Sequence, residues 1–442
     1  MKNHIAQDFT FPSLMRFVFP TIIMMVFMSL YTIVDGIFVS RLLGSNALSS
    51  LNIVYPILSG ILAIGIMLGT GGSAIIARKL GENKKQEAYE NFSLISVAAL
   101  VISAVICLLI VLFLEPLCRI LGANDLLLQD SKTYLLIMGC FAPITMMQLI
   151  YQTLFVTASK PALGLSVTII GGISNMVLDY VFMGPMQMGI AGAALATGIG
   201  QLIPVIVGSV FFFTNHNGLH YVLPKWNGRV LFESCTNGSS EMVSNLSNAV
   251  ITYLFNLIMM RLLKENGVAA ITIVLYAQFL FNGLYLGFSM GVAPIISYHY
   301  GAQNSDVLRR LYRICMRFII DSSIVVVLIS MFCASALITI FTTPQDPTHD
   351  IALHGFYLFA INFLFAGINI FASALFTAFS NGKVSAIISF LRTFVIIVAC
   401  VLILPSLIGV DGVWLSIPLA ELLTLFVSLL YLRLFKDIYQ YG

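Results

Sequence analysis

Two aspartates stand in stretches of sequence that are otherwise apolar and long enough to cross a membrane. Asp35 ends an uncharged run that begins at Phe17, and Asp179 is the only charged residue between positions 161 and 215. A carboxylate in hydrocarbon costs about 2.5–3.5 kcal/mol, so it needs a reason to be there, usually a cation, a proton or a substrate. The pair therefore predicts a binding site inside a membrane. The alternative is that each aspartate only hydrogen-bonds a neighbouring helix.

Further oxygen-bearing side chains fall at a matching depth. Asn175 and Asp179 are spaced i, i+4 and share one face of the fifth predicted helix. Ala193 and Thr197 have the same spacing on the sixth. At ~1.5 Å per residue, Asp35 and Asp179 lie roughly 9 Å from the outer helix ends, and Thr197 lies roughly 12 Å in. We interpret this set as a cation site.

The donor chemistry suits two kinds of ion. Two carboxylates, an amide oxygen and a hydroxyl form a hard-oxygen set that fits a small cation such as Na+. Two desolvated carboxylates close together also suit proton binding, because like charges in an apolar environment disfavour double ionisation. The residues alone leave the choice between Na+ and H+ open.

Composition places these residues in a polytopic membrane protein. The chain is 59% hydrophobic and 9% charged, with a mean hydropathy of +0.98, whereas about 25% of the residues of a soluble domain are charged. Twelve stretches of roughly 20 apolar residues predict twelve transmembrane helices and an all-α fold. A net charge of +3 without a basic stripe predicts no nucleic-acid partner. The chain has no Walker loop, HExxH or nucleophile elbow, so we expect neither an enzyme, a primary pump nor a cofactor.

The distribution of basic residues predicts the orientation. Of the 22 Lys and Arg residues, five fall in the segments that would lie outside, Arg392 lies within a helix, and the other 16 fall in the inside segments if the N-terminus is cytoplasmic. Cytoplasmic loops carry the excess of basic residues. We therefore expect both termini in the cytoplasm, and a multi-pass protein of the prokaryotic plasma membrane. The sequence carries no sign of oligomerisation, so we expect a monomer in the lipid bilayer.

The chain repeats itself at an offset of 220–221 residues. Arg41-Leu42-Leu43 falls on Arg261-Leu262-Leu263, and Gly189 falls on Gly409. A constant offset held through several loops indicates a duplication. Six helices per half is an even number, so the two bundles share an orientation and are related as parallel repeats. We divide the chain into an N-terminal six-helix lobe (1–214), a cytoplasmic linker (215–239) and a C-terminal six-helix lobe (240–442).

Three segments resemble multidrug and toxic compound extrusion (MATE) transporters. They are the region from Pro20 to Pro56 with its Val-Asp-Gly at 34–36, the Asn-x-x-x-Asp at 175–179, and the Gly-Ile-Ala-Gly-Ala at 189–193. The resemblance covers nearly the whole chain and implies a twelve-helix, two-lobe transporter. It implies these ligands for the coupling ion: Asp35, Asn175, Asp179, Thr197 and the carbonyl of Ala193. Some members carry an acidic residue midway along helix seven. This chain has Asn245 and Asn248 there, so the resemblance does not extend to a C-terminal ion site.

Other polar residues in apolar segments are candidates for the substrate cleft. Tyr31 lies one turn before Asp35, and two further groups share single helix faces. The remaining candidates are Gln148, Gln152, Gln278, Asn282 and Tyr285. The alternative is that these side chains only join helices. We expect Asp321 to pair with Arg317, whereas Arg392 has two potential partners, Asp321 and Glu421.

The function predicted from these features is secondary active transport by alternating access. The resemblance implies efflux of small organic, often cationic, compounds in exchange for Na+ or H+ entering the cell. Two alternatives remain. One is a lipid-linked oligosaccharide flippase of the same superfamily, and the other is a receptor or channel that does not transport. Electrogenic ion uptake without exchange would favour the channel.

Overall fold

The protein is built from α-helices with short 3₁₀ and π segments. The structure, a computed structural model, describes residues 4–442, and no β-strand occurs within them. Lys2, one of the basic residues predicted inside, lies before this range. The α-helices are α1 (Phe11–Leu43), α2 (Ser45–Gly81), α3 (Lys85–Leu112), α4 (Leu114–Ile120), α5 (Asp125–Cys140), α6 (Ala142–Thr157), α7 (Pro161–Met183), α8 (Gly189–Thr214), α9 (Gly228–Gly301), α10 (Ser305–Thr339), α11 (Pro347–Phe359), α12 (Phe363–Ala378), α13 (Gly382–Phe390), α14 (Ile396–Ile408), α15 (Val410–Leu434) and α16 (Lys436–Tyr439).

Twelve crossings of the membrane follow from these helices. Within the described range, ten helical segments are each long and apolar enough to span a bilayer, and α5 with α6 adds a bent one with an angle of 52°. The α9 helix is 74 residues long and breaks at Lys264, where φ is 54°. It therefore supplies two crossings, because about 20 residues already span the hydrocarbon. The prediction of twelve helices is confirmed.

Helix starts in the loops are set by local side-chain chemistry. Asn124 accepts the backbone N–H of Leu127 at 3.0 Å, and Asp346 accepts that of Thr348 at 2.8 Å. Asn227, Asn304 and Asn381 cap α9, α10 and α13 in the same way. These caps satisfy N–H groups that have no partner inside the helix. Side-chain caps in the loops thus define where five of the described helices begin.

The backbone repeats at the offset seen in the sequence. Residues with positive φ pair up at a separation of 220 or 221 positions, and they account for eight of the eleven positive-φ residues among those described. The pairs are Gly44 and Lys264, Asn83 and Gln303, Ser159 and Ser380, and Gly189 and Gly409. Left-handed backbone is costly for residues other than glycine, so the same turn geometry is retained at the same places. The two halves are structural repeats.

Each half forms a six-helix bundle with its own apolar core. One cluster of buried residues runs from Val39 to Leu219 and holds the N-terminal bundle together. Another runs from Ile251 to Ala420 in the C-terminal bundle. The first part of α1 departs from this division, because Val18 and Ile22 pack in a cluster with C-terminal residues that begin at Phe288. The α1 helix therefore contacts both bundles.

Glycines allow the bundles to meet backbone to backbone. A Cβ atom on Gly81 would overlap the carbonyl oxygen of Tyr298, and one on Gly301 would overlap that of Arg78. Both glycines and both carbonyls are 220 residues apart, so the contact is symmetric about the axis that relates the bundles. It lies at the C-terminal end of α2, which carries Arg78 and Lys79, and at the C-terminal end of α9, next to the basic first turns of α10.

Gly81→Ala is expected to destabilise the contact between the bundles. The new methyl group has no space beside the Tyr298 carbonyl, and overpacking of this kind costs about 1–3 kcal/mol. Gly60→Ala in the same helix meets no atom within 4 Å and should gain about 0.5–1 kcal/mol from the better helix propensity of alanine. Thermal unfolding of the purified protein in detergent would measure both. If the Tm of both variants shifted equally in the same direction, the close contact between Gly81 and Tyr298 would be contradicted.

Candidate cation site

Three helices of the N-terminal bundle approach closely at glycines. A Cβ atom on Gly172 of α7 would lie 2.7 Å from the ring of Phe27 on α1. One on Gly200 of α8 would lie 2.8 Å from the Cβ of Asn175 on α7. Small residues of this kind let membrane helices pack at short distance. The approach brings the polar residues of α1, α7 and α8 together.

The two aspartates meet inside the bundle. Asp179 is fully buried, and the side chain of Asp35 lies close enough for the two carboxyl groups to interact directly. Both oxygens of Asp179 and Oδ1 of Asp35 are buried without a hydrogen-bond partner among the described residues. The buried amide nitrogen of Asn175 also has no partner in that part of the chain. Such groups are rare in proteins, because each costs its full desolvation penalty.

A small cavity lies between the bundle's helices, one helical turn before each carboxylate. It has a volume of about 20 Å³, and its lining includes Tyr31, Asn175 and Thr197. A cavity above roughly 10–15 Å³ has space for one water-sized ligand. The hydroxyl of Thr197 donates to the carbonyl oxygen of Ala193 at 3.0 Å, so these two predicted ligands are bonded to each other.

The arrangement fits an ion better than it fits a structural hydrogen-bond network. Buried polar groups that only join helices have partners, whereas three of the four carboxylate oxygens here are buried without a hydrogen bond among the described residues. Two adjacent carboxylates form a site that either a small cation or a proton would neutralise. The residues available to hold Na+ are Asp35, Asp179, Asn175 through its amide oxygen, and Thr197. Ala193 would contribute only if its carbonyl released Thr197.

The structure adds residues that the sequence did not single out. The buried Tyr134 of α5 lies near both carboxylates. Gln201 lines the cavity, and its Oε1 accepts the hydroxyl of Thr145 at 2.6 Å. The position of Gln201 four residues after Thr197 is a helical-face signal that was available in the sequence. Tyr134 had no such signal, since its contact depends on how α5 is rotated.

The N-terminal candidates for the substrate cleft lie close to this cavity. Tyr31 and Gln148 line it. The amide nitrogen of Gln152 donates to Met28 Sδ at 3.1 Å and to Thr168 Oγ1 at 3.4 Å. Gln152 therefore joins α6 to α1 and α7.

The C-terminal candidates for the substrate cleft lie on α9, after its break at Lys264. Gln278 and Asn282 are partly buried, and Oδ1 of Asn282 has no partner among the residues described. Tyr285 is buried, and its hydroxyl donates to the Phe363 carbonyl at 3.0 Å. Tyr285 is thus bonded within its own bundle, while the two amides retain free hydrogen-bonding capacity.

A larger, apolar cavity lies where the bundles face each other. Its volume is about 200 Å³. Residues that line it include Leu30, Ile33, Val34 and Ile37 of α1, Ile273 and Tyr276 of α9, and Phe341. The α1 residues that line this cavity lie in the same helical turns as Asp35. The α1 helix therefore connects an apolar surface to the carboxylate pair.

Four charged residues in the apolar segments of the C-terminal half form two ion pairs. Arg392 Nε lies 2.8 Å from Glu421 Oε1, and both side chains are largely buried. Arg317 lies 3.8 Å from Asp321 in an exposed pair, as expected. Of its two potential partners, Arg392 therefore contacts Glu421.

Comparison with known proteins identifies the family. The MatE family model matches the chain twice, over residues 20–181 and 242–402. The chain is similar to the multidrug export protein MepA of Staphylococcus saprophyticus (23% identity, 98% of this chain and 96% of the relative). It is similar to MepA of Staphylococcus aureus (23% identity, 97% and 94%).

Solved structures have the same fold. An outward-facing multidrug resistance MATE transporter superposes with a TM-score of 0.93 at 22% identity, covering 100% of this chain and 99% of the other. A transporter of the MOP superfamily from Pyrococcus furiosus, described as having a binding pocket of reversed polarity, superposes with a TM-score of 0.91 at 21% identity, covering 100% and 99%. With both halves matched by the family model, the chain is a multi-pass membrane protein that belongs to the MATE family.

Proposed function

We propose that this protein is a secondary active multidrug efflux transporter that exchanges an inward coupling cation for outgoing organic compounds. The observation that carries the proposal is the pair of adjacent carboxylates, Asp35 and Asp179, with buried oxygens that lack hydrogen-bond partners among the described residues. The names of the MepA relatives as multidrug export proteins support the direction and the class of substrate. The coupling ion is Na+ or H+.

The path from ion to substrate runs through α1. On one face Tyr31 and Asp35 of α1 meet the site on α7. On the other face the hydroxyl of Ser29 donates to the carbonyl of Phe279 in α9 at 3.3 Å. A cation between Asp35 and Asp179 would remove the repulsion between them and draw α1 towards α7. The same movement would change the contact of α1 with the C-terminal bundle, which is what alternating access requires.

The apolar cavity provides a surface for the substrate. The residues that line it carry no charged side chain, so it suits the hydrocarbon or aromatic part of an organic compound. A volume of about 200 Å³ is smaller than the roughly 300–1,000 Å³ of complete ligand pockets. We propose that it forms one part of the binding surface between the bundles, with Gln278 and Asn282 as polar partners. A surface without fixed charges is tolerant of varied substrates.

The orientation that we propose is supported by the distribution of the basic residues along the sequence. With both termini in the cytoplasm, the glycine contact of Gly81 and Gly301 closes the cytoplasmic side. The carboxylates then lie towards the outside. The transporter would act as a monomer in the bacterial plasma membrane.

Transport under controlled gradients tests the proposal. Ethidium efflux from vesicles should be driven by a Na+ gradient or by an H+ gradient applied separately. Asp35→Asn and Asp179→Asn should each slow gradient-driven efflux by about tenfold or more, because a lost charge-assisted contact is worth about 1.5–3 kcal/mol. Asp321→Asn, which alters an exposed ion pair, serves as the matched control. Undiminished efflux in both site variants would refute the site, and ion current without exchange would indicate a channel.

Thermal stability separates a functional carboxylate from a structural one. In sodium-free buffer, Asp179→Asn should have an apparent Tm equal to or above that of the wild type, because a neutral amide avoids the cost of a buried, unpaired charge. Tyr285→Phe should lower the Tm, because it loses the hydrogen bond to Phe363. If Asp179→Asn lowers the Tm as Tyr285→Phe does, the carboxylate is structural. If Na+ is the coupling ion, its addition should raise the Tm of the wild type and leave that of Asp179→Asn unchanged.

A further inference from the structure

We propose that the C-terminal bundle has a guanidinium-binding site at the position that corresponds to the N-terminal cavity. The ligand bound at this site is the side chain of the protein's own Arg392. Glu421 accepts the guanidinium group, and Asn369 donates to Glu421 and holds its carboxylate in place. The consequence is that the C-terminal bundle carries a built-in cation where the N-terminal bundle has a cavity. This inference goes beyond the proposed transport function and does not depend on it.

The register of the repeat places the site. At an offset of 221, Gln148 corresponds to Asn369 and Gly171 to Arg392, and at an offset of 220, Gln201 corresponds to Glu421. Gln148, Gly171 and Gln201 all line the N-terminal cavity. The three C-terminal residues that form the ion pair and its hydrogen bonds therefore stand at the positions that form the cavity in the other half. At an offset of 220 instead of 221, Arg392 corresponds to Gly172, which also lines the cavity.

A second pair of contacts confirms this register in three dimensions. Gln152 donates to Thr168 at 3.4 Å in the N-terminal bundle. The hydroxyls of Ser373 and Ser389 are 2.8 Å apart in the C-terminal bundle. Both members of the second pair lie 221 residues after those of the first. Equivalent helices therefore pack in the same way around the cavity and around Arg392.

The guanidinium group of Arg392 is held as a ligand would be held. Its Nε lies 2.8 and 3.1 Å from the two oxygens of Glu421. Asn369 donates to Glu421 Oε2 at 2.7 Å, and its own Oδ1 accepts the hydroxyl of Ser428 at 2.8 Å. Glu241 of α9 also lies close to Arg392. The acceptors are fixed by contacts with other residues, so they would remain in place without the arginine side chain.

The local backbone and the side-chain volume agree with this assignment. Glycine at position 171 leaves the space that forms the N-terminal cavity, whereas arginine at position 392 fills the equivalent space. The helix changes to a π-helix at Leu391–Val395, the segment that carries Arg392. Such segments interrupt α-helices frequently at functional sites.

Chemical rescue tests whether the site accepts a free cation. Arg392→Ala in the full-length purified protein should lower the apparent Tm by about 5 °C, because it leaves the buried Glu421 carboxylate without its partner. Guanidinium chloride at low millimolar concentration should restore most of the loss, because guanidinium fits the vacated acceptors. Tetramethylammonium at the same concentration should not, because it has no N–H donors. Arg317→Ala, which removes an exposed arginine, should show neither the loss nor the rescue.

Two outcomes of this experiment would overturn the proposal. One is an unchanged Tm for Arg392→Ala, and the other is a response to guanidinium that is equal in the Arg317→Ala control. Both readouts concern stability, so failure of the transport proposal would leave them unaffected.

A double-mutant cycle provides a test that does not require a bound ligand. Arg392→Met and Glu421→Gln should each reduce the amount of folded, membrane-inserted protein, and the double variant should recover much of that loss because it buries no unpaired charge. Fluorescence-detected size exclusion of tagged protein in membrane extracts measures this even for variants that cannot be purified. Additive losses would show that Arg392 does not occupy a site formed by Glu421.

Discussion

The hydrocarbon of a bilayer offers no hydrogen-bond partner, so each polar side chain within it has to be satisfied by the protein or by a bound ligand. The two bundles of this protein meet that constraint differently. In the C-terminal bundle the Glu421 carboxylate has Arg392 and Asn369 as partners. In the N-terminal bundle the oxygens of Asp179 have no such partner among the described residues. Because the rest of the scaffold is shared, this difference would give the two halves different capacities to bind a cation under the proposed function.

The shared scaffold depends on backbone geometry more than on side-chain identity. The positive-φ turns recur at Gly189 and Gly409, and the contact between the bundles is symmetric through Gly81 and Gly301. Around these fixed points the side chains of the two halves differ. A duplicated fold can therefore keep its helix packing while one half changes the contents of its polar cavity, as the glycine and arginine at positions 171 and 392 illustrate.

The sequence predicted those features that follow from hydropathy and spacing along one helix. Asp35 and Asp179 stood out because charge is costly in an apolar run, and the i, i+4 spacing placed Asn175 on the same face as Asp179. The partner of Arg392 and the contribution of Tyr134 were not predictable, because each depends on the rotation of one helix about its axis relative to another. Hydropathy alone also gave no sign that α1 packs on both bundles, since an apolar face suits lipid and protein contacts equally.

The dual contact of α1 explains why the carboxylates lie where they do. A cation bound within one rigid bundle would stabilise that bundle without affecting the other, because a ligand shifts an equilibrium only by its different affinity for the two states. Asp179 belongs to α7, inside the bundle, whereas Asp35 belongs to the helix that also contacts α9 through Ser29. Pro20 interrupts the backbone hydrogen bonds of α1 among its contacts with the C-terminal bundle, which include Val18, Ile22 and Ser29. Under the proposed function, a distance between the two aspartates that changes with the arrangement of the bundles would allow ion binding to favour one arrangement over the other.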